Sequence, residues 1–508
     1  MATKALFNTV VNWFISQRID QIENFIKYPT ETQEGLLFSQ LFNAEETEYG
    51  QKFGFSSVSN YRDFQRKIPI VSYEDFEPYI EKARQGQKDV IWPGLIKQFA
   101  KSSGTTNAKS KFIPITAESL EYCHYKAGKD MVSIYVNNHP ESELFQHKNL
   151  RLGGSAEMYK DFNTKCGDLS AILIENLPFW VEIINTPNKK ISLMSEWESK
   201  MKAIISEVRN EDVGSLTGVP SWMMVLLQRT LQETGKQNIG ELWPNLEVFF
   251  HGGISFKPYK NQYKDIIGKD IRYYEIYNAS EGFFGIQDQS ESDEMLLMLD
   301  YGIFYEFIPM DKFYAGVREA IPISEVELNK NYAVVITTNG GLWRYLIGDT
   351  VKFTSIHPYR IKISGRTKHY INAFGEELMI DNVETALKIA CEKLDASISD
   401  YTGAPVFMTN ESKGSHEWIF EFTKKPNSLN EFTDVFDRML KTLNSDYEAK
   451  RYNDITLRKP IVHAAKSNLF YEWMASRGKL GGQNKVPRLS NDREYIDPLL
   501  MLNKNLSN

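Results

Sequence analysis

The chain has 508 residues, of which 42% are hydrophobic and 25% are charged, and its net charge at pH 7 is −7. This composition is typical of a globular protein long enough for two or more domains, so a disordered or fibrous chain is excluded. Because acidic residues slightly outnumber basic ones, the chain lacks the positive field of a nucleic-acid-binding protein, and nucleic acid is not expected as a partner.

The cysteines and the apolar runs indicate the cellular compartment of the protein and whether it has a membrane segment. Cys123, Cys166 and Cys391 are scattered and lack metal-ligand spacing, which predicts a protein of the reducing cytoplasm. The most apolar run near the start, residues 5–15, is interrupted by asparagines, and no small-residue cleavage site follows it. Since no later run approaches the roughly 20 apolar residues of a spanning helix, no membrane segment or membrane partner is expected.

In chain order, apolar residues first recur at helical spacing over residues 7–42, which predicts a helical start. A polar stretch follows at residues 101–111, where hydroxyl groups and lysines surround Gly104. Glycine admits an anion close to the backbone, hydroxyls donate hydrogen bonds and lysines supply charge, so this stretch suits phosphate. It is not a Walker A loop, because the residue directly before Lys109 is not a glycine. A solvated turn is the alternative to a phosphate-binding loop.

The segment after this loop reads as a helix with Thr116 as its N-cap, which would place the loop between a strand and a helix. Further along, residues 246–250 and 271–277 read as strands, and both end in polar turns, 251–253 and 278–282. Ligands of open α/β sheets lie outside the carboxyl ends of the strands, so the two turns are expected to line one crevice. Glu281 is the carboxylate of the second turn, and it is either a magnesium ligand or a surface acid.

A β-rich portion comes next, predicted as a small barrel or sheet. Residues 295–299 and 303–308 are expected to pair as a hairpin around residues 300–302. The portion ends at residues 346–351, where Asp349 follows a glycine at a predicted strand boundary. A carboxylate there could accept hydrogen bonds from both hydroxyls of a ribose, although Gly-Asp turns are common.

The best candidate for a domain boundary lies at Arg366, because the pattern then resets to helix, strand near residues 418–422, helix near 431–443, and a tail. We predict an α/β protein with an N-terminal domain of residues 1–365, which has α/β layers and a β-rich part, and a smaller α+β domain of residues 366–508. The basic, glycine-rich residues 478–488 are either a solvated linker or a loop that delivers Lys485 into a site between the domains.

Taken in order, these segments resemble the signatures of the adenylate-forming superfamily, and in detail its Gretchen Hagen acyl-acid amido synthetases. The resemblance rests on residues 102–111, 277–282, 345–351, 365–366 and 483–488 and spans nearly the whole chain. Each segment alone is weak evidence for the family, but all of them in this order are specific to it. The resemblance implies a large adenylate-forming domain followed by a smaller one, and a bacterial-type member of the family is expected.

The resemblance implies that ATP and Mg²⁺ activate a small carboxylic acid as its acyl-adenylate, with release of pyrophosphate, and that an amine, usually of an amino acid, then attacks to form an amide. Lys485 and Glu281 are implied as catalytic residues, with Glu281 also binding the metal. The residues implied to bind ATP or AMP are Ser102, Ser103, Gly104, Thr105, Thr106, Gly253, Tyr277, Asn278, Ala279, Ser280, Asp349 and Arg366. A monomer or weak dimer is expected.

Two other functions stay open. An acid:coenzyme A ligase shares the adenylation step and differs only in the second nucleophile. A nucleotide-binding sensor would have lost catalysis, and the presence of Glu281, Asp349 and Lys485 argues against it. The chain also departs from the family pattern at residues 278–279 and after Arg366, and the acyl-pocket candidates, residues 122–131, 179–180 and 219–223, read equally well as core.

Overall fold

The computed structural model describes residues 2–102, 111–153, 158–177, 179–254, 256, 259–290, 292–367, 370–409, 412–454, 456–477 and 486–505. Of the predicted site residues, Ser103, Gly104, Thr105, Thr106 and Lys485 lie outside these ranges. No helix within the described ranges is long and apolar enough to cross a membrane. The three cysteines are free thiols.

The chain begins with five helices, which confirms the predicted helical start. They are α1 (Ala2–Lys27), α2 (Pro29–Ala44), α3 (Glu48–Phe53), α4 (Tyr61–Lys67) and α5 (Tyr73–Arg84). Ser72 starts α5 with a capping box, in which its hydroxyl accepts from the Asp75 amide and the Asp75 carboxylate accepts from the Ser72 amide. Such reciprocal bonds satisfy amide groups that a helix leaves open at its start.

The α/β part follows, with strands and helices in alternation. In chain order it comprises β1 (Gln98–Ser102), β2 (Lys111–Ile115), α6 (Ala117–Ser119), α7 (Lys126–Asn138), β3 (Lys148–Leu152), β4 (Tyr159–Asp161), β5 (Thr164–Gly167), α8 (Leu169–Glu175), α9 (Phe179–Ile184), β6 (Asn185–Thr186), α10 (Lys189–Ser192), α11 (Trp197–Val208), β7 (Val213–Gly218), α12 (Pro220–Thr234), α13 (Ile239–Leu242), β8 (Val248–Gly252), α14 (Lys260–Ile267) and β9 (Arg272–Ala279). A π-helical stretch, Leu120–Tyr125, joins α6 to α7.

The β-rich portion and the smaller C-terminal part complete the chain. They contain β10 (Gly282–Ile286), β11 (Met295–Leu297), β12 (Ile303–Pro309), α15 (Met310–Tyr314), β13 (Ile321–Pro322), β14 (Asn331–Thr338), β15 (Tyr345–Ile356), β16 (Tyr359–Arg366), β17 (Tyr370–Ile371), β18 (Leu378–Met379), α16 (Ile380–Lys393), β19 (Ser397–Val406), β20 (Ser415–Lys424), α17 (Leu429–Leu443), α18 (Ser445–Arg451), β21 (Ile461–Ala464), α19 (Leu469–Ser476) and α20 (Ile496–Asn505). Short 3₁₀ turns lie at Phe55–Ser57, Leu144–Gln146, Ile323–Glu325 and Tyr452–Asp454.

One large sheet organises the described part of the chain, in the order β13-β12-β14-β15-β16-β11-β10-β9-β8-β7-β3-β6. From β6 to β9 neighbouring strands are parallel, and helices such as α11, α12 and α14 connect or cover them, whereas from β9 to β13 neighbours are antiparallel. Parallel strands are joined by crossover helices and antiparallel ones by short turns. The predicted α/β class with a β-rich part is therefore confirmed.

The large sheet curls strongly between its two halves. Strands β9 and β15 are four positions apart in the sheet order, so a flat sheet would separate them by about 19 Å. The hydroxyl of Tyr277 on β9 nevertheless lies 2.8 Å from a carboxylate oxygen of Asp349 on β15. The curl thus brings the antiparallel half over the carboxyl ends of the parallel strands. Asp349 itself lies within β15 beside a break in strand register, not at a strand boundary as predicted.

The expectation that the phosphate loop joins a strand to a helix is wrong. Strands β1 and β2 are antiparallel neighbours, and Ser102 is paired in register with Lys111, so residues 103–110 connect two strands. The reason is that residues 111–115 pair with β1 and bury Ile113 and Ile115 before the helix begins. Thr116 does cap the following helix, because its hydroxyl accepts from the Ser119 amide.

The predicted hairpin of residues 295–308 is also wrong, because β11 pairs with β10 and β16 whereas β12 pairs with β13 and β14. The side chain of Gln33 on α2 accounts for this. Its amide nitrogen donates to the carbonyls of Leu299 and Ile303, and its oxygen accepts from the Tyr305 amide. Helix α2 therefore occupies backbone groups that a hairpin would pair with each other.

The C-terminal part contains the predicted helices α16 and α17 and the strand β20, together with β19, β21, α19 and α20, which were not predicted. Its sheet has the order β19-β20-β21. An apolar cluster continues from the parallel half of the main sheet into this part, and it includes Met223 and Phe249 as well as Phe374 and Trp418. The two parts are thus packed against each other through buried side chains.

A buried ion pair fixes helix α4 to the antiparallel half of the sheet. Both carboxylate oxygens of Glu306 accept from Arg344 at 2.8 Å, and one accepts from the Tyr61 hydroxyl at 2.8 Å.

Replacing Glu306 with alanine leaves a buried guanidinium without its partner, so we expect a loss of about 3–5 kcal/mol of stability. Urea unfolding followed by tryptophan fluorescence measures this. An alanine at Glu319, which pairs with Lys312 on the surface, should leave the midpoint unchanged, and an equal shift in both variants would contradict the prediction.

Candidate functional site

A cleft of about 1840 Å³ lies where the carboxyl ends of β8 and β9 face the C-terminal part of the chain. Strand β8 is parallel to β9, so the turns after both strands reach the same edge of the sheet, as the sequence predicts. Among the predicted site residues, the cleft is lined by Ser102, Gly253, Tyr277, Asn278, Ala279, Ser280, Glu281, Asp349 and Arg366. The structure therefore brings together residues that are up to 264 positions apart in the sequence.

Asp349 is the centre of a hydrogen-bonded cluster in this cleft. One of its carboxylate oxygens accepts from the Tyr277 hydroxyl at 2.8 Å, and the other accepts from Nε of Arg366 at 2.8 Å. Burial acts to lower the pKa of Arg366, but the charges of Asp349 and Glu377 outweigh it, so the pKa lies above its usual value. The guanidinium also lies over the ring of Tyr370, 5.0 Å from its centroid. These contacts hold the carboxylate in one orientation.

Glu281 also lines the cleft, in the tight turn between β9 and β10. It is partly buried, and this burial raises the pKa of its carboxyl group, while the nearby ammonium of Lys111 acts to lower it. Lys111 begins β2, directly opposite Ser102 on β1, and both residues line the cleft. A hydroxyl, an ammonium and a carboxylate thus converge beside the segment predicted to hold phosphate.

The part of the cleft around Ser102, Lys111 and Glu281 fits magnesium bound together with phosphate. Mg²⁺ usually keeps several waters and takes one or two carboxylates plus phosphate oxygens, which a single glutamate satisfies. A magnesium site built by protein groups alone would need several such ligands. No cluster of three or more His, Cys, Asp or Glu side chains suited to a metal occurs among the described residues. The donor set present therefore suits a metal that arrives with a nucleotide.

Two glycines at the end of β8 allow the backbone there to pack closely against β9 and to turn. A Cβ atom at Gly252 would lie 2.5 Å from the Ile276 carbonyl oxygen, so only glycine fits there. Gly253 has a φ of 84°, in the region that favours glycine. The adjacent His251 stacks on Phe256 with ring centroids 4.1 Å apart, and burial lowers its pKa to about 3. His251 is therefore a neutral, apolar part of the wall.

The C-terminal wall of the cleft was not predicted as part of the site. It includes Tyr370, Asn372, Ala373, Glu377 and Asn491. The sequence gives one usable signal, since a polar segment that contains Gly375 separates the predicted boundary at Arg366 from helix α16. No described residue of segments 122–131 and 219–223 lines this cleft, and within these segments Tyr122 is exposed whereas Met223 is buried. The apolar lining of the cleft includes Leu169, Leu173, Ile254, Phe256 and Phe407.

The raised pKa of Glu281 leads to a prediction about stability. A carboxyl group whose pKa is higher in the folded than in the unfolded state destabilises the fold above both values and has no effect below both. Glutamine at position 281 should therefore raise the melting temperature at pH 7, and the gain should vanish as the pH falls below the ordinary carboxyl range. Scanning calorimetry from pH 3 to pH 8 tests this, and a melting temperature that is lower at pH 7 in the variant than in the wild type would oppose it.

Models of one protein family match the chain along most of its length. The GH3 family N-terminal domain matches residues 18–271, the GH3 family central domain matches residues 296–366 and the GH3 family C-terminal domain matches residues 381–494. Together they include every predicted site residue placed in the cleft except residues 277–281, at the end of β9 and in the turn after it.

Two relatives and two solved structures are similar to the chain. The chain is 22% identical to a probable indole-3-acetic acid-amido synthetase of Arabidopsis thaliana, over 94% of this chain and 92% of the relative. It is 25% identical to a jasmonoyl–L-amino acid synthetase of Nicotiana attenuata, over 67% and 69%. Its fold is similar to that of the GH3.15 acyl acid amido synthetase, with a TM-score of 0.61 and 18% identity over 96% of this chain and 95% of the other. A 2-hydroxyisobutyryl-CoA ligase has a TM-score of 0.58 and 14% identity over 94% and 93%.

Proposed function

The chain belongs to the GH3 family, and on that basis we propose that it is an ATP-dependent acyl-acid amido synthetase. It is a ligase that joins the AMP part of ATP to a small carboxylic acid, with release of pyrophosphate, and then passes the acyl group to an amine of an amino acid. The observation that carries the proposal is the cluster of Tyr277, Asp349 and Arg366 in the cleft, since it leaves an oriented carboxylate facing a nucleotide-sized space.

In this proposal different groups of the cleft hold the nucleoside and the phosphates of ATP. Asp349 accepts hydrogen bonds from the ribose hydroxyls, while Gly253 and residues 277–280 frame adenine and the α-phosphate. Ser102, with Ser103, Gly104, Thr105 and Thr106 beyond the described residues, binds the phosphates that leave as pyrophosphate. Glu281 holds the magnesium ion, which would neutralise phosphate charge when bound. The position of Lys111 next to Glu281 supports this assignment.

Catalysis then rests on position and charge. Attack of the carboxylate on the α-phosphate brings negative groups together, so the rate depends on cations and donors fixed around the reacting atoms. Lys485 is proposed to supply the cation for this step. No nucleophilic side chain is needed, which agrees with Cys123, whose thiol is fully buried and has its pKa raised to about 12 by that burial.

We also propose that the domain boundary lies at Arg366, between residues 1–365 and 366–508. Arg366 is the last residue of β16, and it contacts Asp349 on one side and Glu377 and Tyr370 on the other. A rotation near this residue would change which C-terminal groups face the cleft. The second domain thus contributes one wall of the site and, through Lys485, one catalytic cation.

Acid-dependent release of pyrophosphate tests the function directly. The protein is incubated with ATP, Mg²⁺ and a panel of carboxylic acids, and the products formed with amino acids or with coenzyme A are then identified by mass spectrometry. Pyrophosphate and an amide are expected. A thioester without any amide would identify an acid:coenzyme A ligase instead, and ATP binding without pyrophosphate release would identify a sensor.

A further inference from the structure

The hairpin of β9 and β10 carries Glu281 at its tip, and this tip extends beyond the strands on either side of the hairpin. Strand β8 pairs with β9 only as far as Ile276. On the other side, β11 pairs with β10 at Gly285 and Ile286. Residues 277–283 therefore lie beyond both of these ladders, and their backbone groups need other partners to be held in one position.

The thiol of Cys123 is one of these partners. Its Sγ accepts a hydrogen bond from the Phe283 amide at 3.2 Å, and the cysteine is buried. The register of β9 and β10 shifts between Phe283 and Gly285, so the bonded amide lies directly before a β-bulge. Cys123 itself belongs to the π-helical stretch Leu120–Tyr125. Bulges and π-helical turns are irregularities that occur preferentially near functional sites, and here the two are joined by one hydrogen bond.

Apolar packing holds the same part of the hairpin against β12 and the turn before it. A Cβ atom at Gly282 would lie 2.6 Å from Cδ1 of Ile303, so the backbone of Gly282 lies directly on that side chain. The rings of Phe283 and Tyr301 meet edge to face, with centroids 6.1 Å apart. Because Glu281 is only two residues from Phe283, a shift of the Phe283 backbone would move the Glu281 carboxylate as well.

We propose that Cys123 is a positioning residue for Glu281, and that its thiol fixes the hairpin tip where the carboxylate can bind a magnesium ion that arrives with ATP. This inference rests on the proposed function. The nucleoside part of the site has separate support, because the Tyr277 hydroxyl donates to Asp349 at 2.8 Å. Loss of the thiol should therefore weaken binding of the metal with its phosphates more than binding of the nucleoside.

The variants Cys123→Ala and Cys123→Ser test the inference. Alanine leaves the Phe283 amide without its acceptor, whereas serine keeps an oxygen that can accept from it. Isothermal titration of the full-length protein measures the dissociation constants of ATP with and without Mg²⁺, and of AMP without metal. We expect the gain in ATP affinity from Mg²⁺ to fall about fivefold or more in Cys123→Ala, while AMP affinity stays within about twofold. Cys123→Ser should retain most of the gain.

Cys166→Ala is the matched control. Cys166 is also a buried thiol, lies on β5 and does not line the cleft. Its loss should lower the melting temperature and leave the effect of Mg²⁺ on ATP affinity unchanged.

Several outcomes of these titrations would overturn the inference. They are a wild-type ATP affinity that does not depend on Mg²⁺, a Cys123→Ala variant that keeps the full gain or loses AMP affinity equally, a serine variant that behaves like alanine, and an equal loss in Cys166→Ala. The proposed function fails on a different measurement, namely a wild-type protein that releases no pyrophosphate with any acid.

Discussion

Pyrophosphate release is expected to fall about 100-fold or more when Asp349 is replaced with alanine, which is the usual scale for loss of a fixed polar group at a reacting substrate. The substitution removes the acceptor proposed for the ribose hydroxyls. It also leaves the buried Arg366 without the carboxylate that accepts from its Nε at 2.8 Å. Initial rates of acid-dependent pyrophosphate release at saturating acid, over a range of ATP concentrations, measure the effect, and the KM for ATP should rise.

Asp288 provides a control of the same chemistry. It accepts from Nε and Nη2 of Arg360, and both side chains of that pair are 14% exposed, but Asp288 does not line the cleft. Replacing Asp288 with alanine should therefore lower stability and leave the rate per folded molecule within about twofold, as for a residue without transition-state contacts. Equal losses of rate in the two variants would show that the effect of Asp349 is structural.

Replacing Lys485 with alanine is expected to lower adenylation about 1000-fold while ATP binding changes little. Lysine is proposed to neutralise the charge that develops when the carboxylate attacks the α-phosphate, and groups that act only in the transition state change kcat and not ground-state binding. Pyrophosphate exchange reports adenylation, and isothermal titration with ATP and Mg²⁺ reports binding.

Lys479 lies in the same glycine-rich segment as Lys485 and is the control for it. Alanine at Lys479 should leave adenylation nearly unchanged, since Lys485 and not Lys479 is the residue proposed to act in this step. If adenylation survives in the Lys485 variant, or is lost equally in the Lys479 variant, Lys485 is not the residue that serves this step.

The parts of the fold that could be predicted from the sequence are those with strong local periodicity. Helices α11, α12 and α17 have apolar faces at helical spacing, and β8 and β9 are apolar runs that end in glycine or polar turns. The crevice at the ends of β8 and β9 follows from one general rule about parallel sheets, so Gly253 and Glu281 could be placed near each other without coordinates.

The parts that could not be predicted depend on partners that are distant in the sequence. The side chain of Gln33 replaces a local hairpin with bonds to residues more than 260 positions away. The curl of the sheet, which brings Asp349 to Tyr277, has no local signature either. Residues 372–377 escaped assignment to the site because Glu376 and His416, 40 positions apart, look like ordinary polar residues until their burial is known.

The contact between Tyr277 and Asp349 joins two halves of one sheet at the proposed nucleotide site. Tyr277 comes from β9, at the edge of the parallel half, whereas Asp349 and Arg366 come from antiparallel strands, and three strands lie between β9 and β15 in the sheet. A ligand that binds only the folded state adds RT ln(1 + [L]/Kd) to stability, or about 2.7 kcal/mol at a concentration 100 times Kd. In a cell that keeps ATP abundant, binding of this substrate would thus stabilise the folded protein against unfolding.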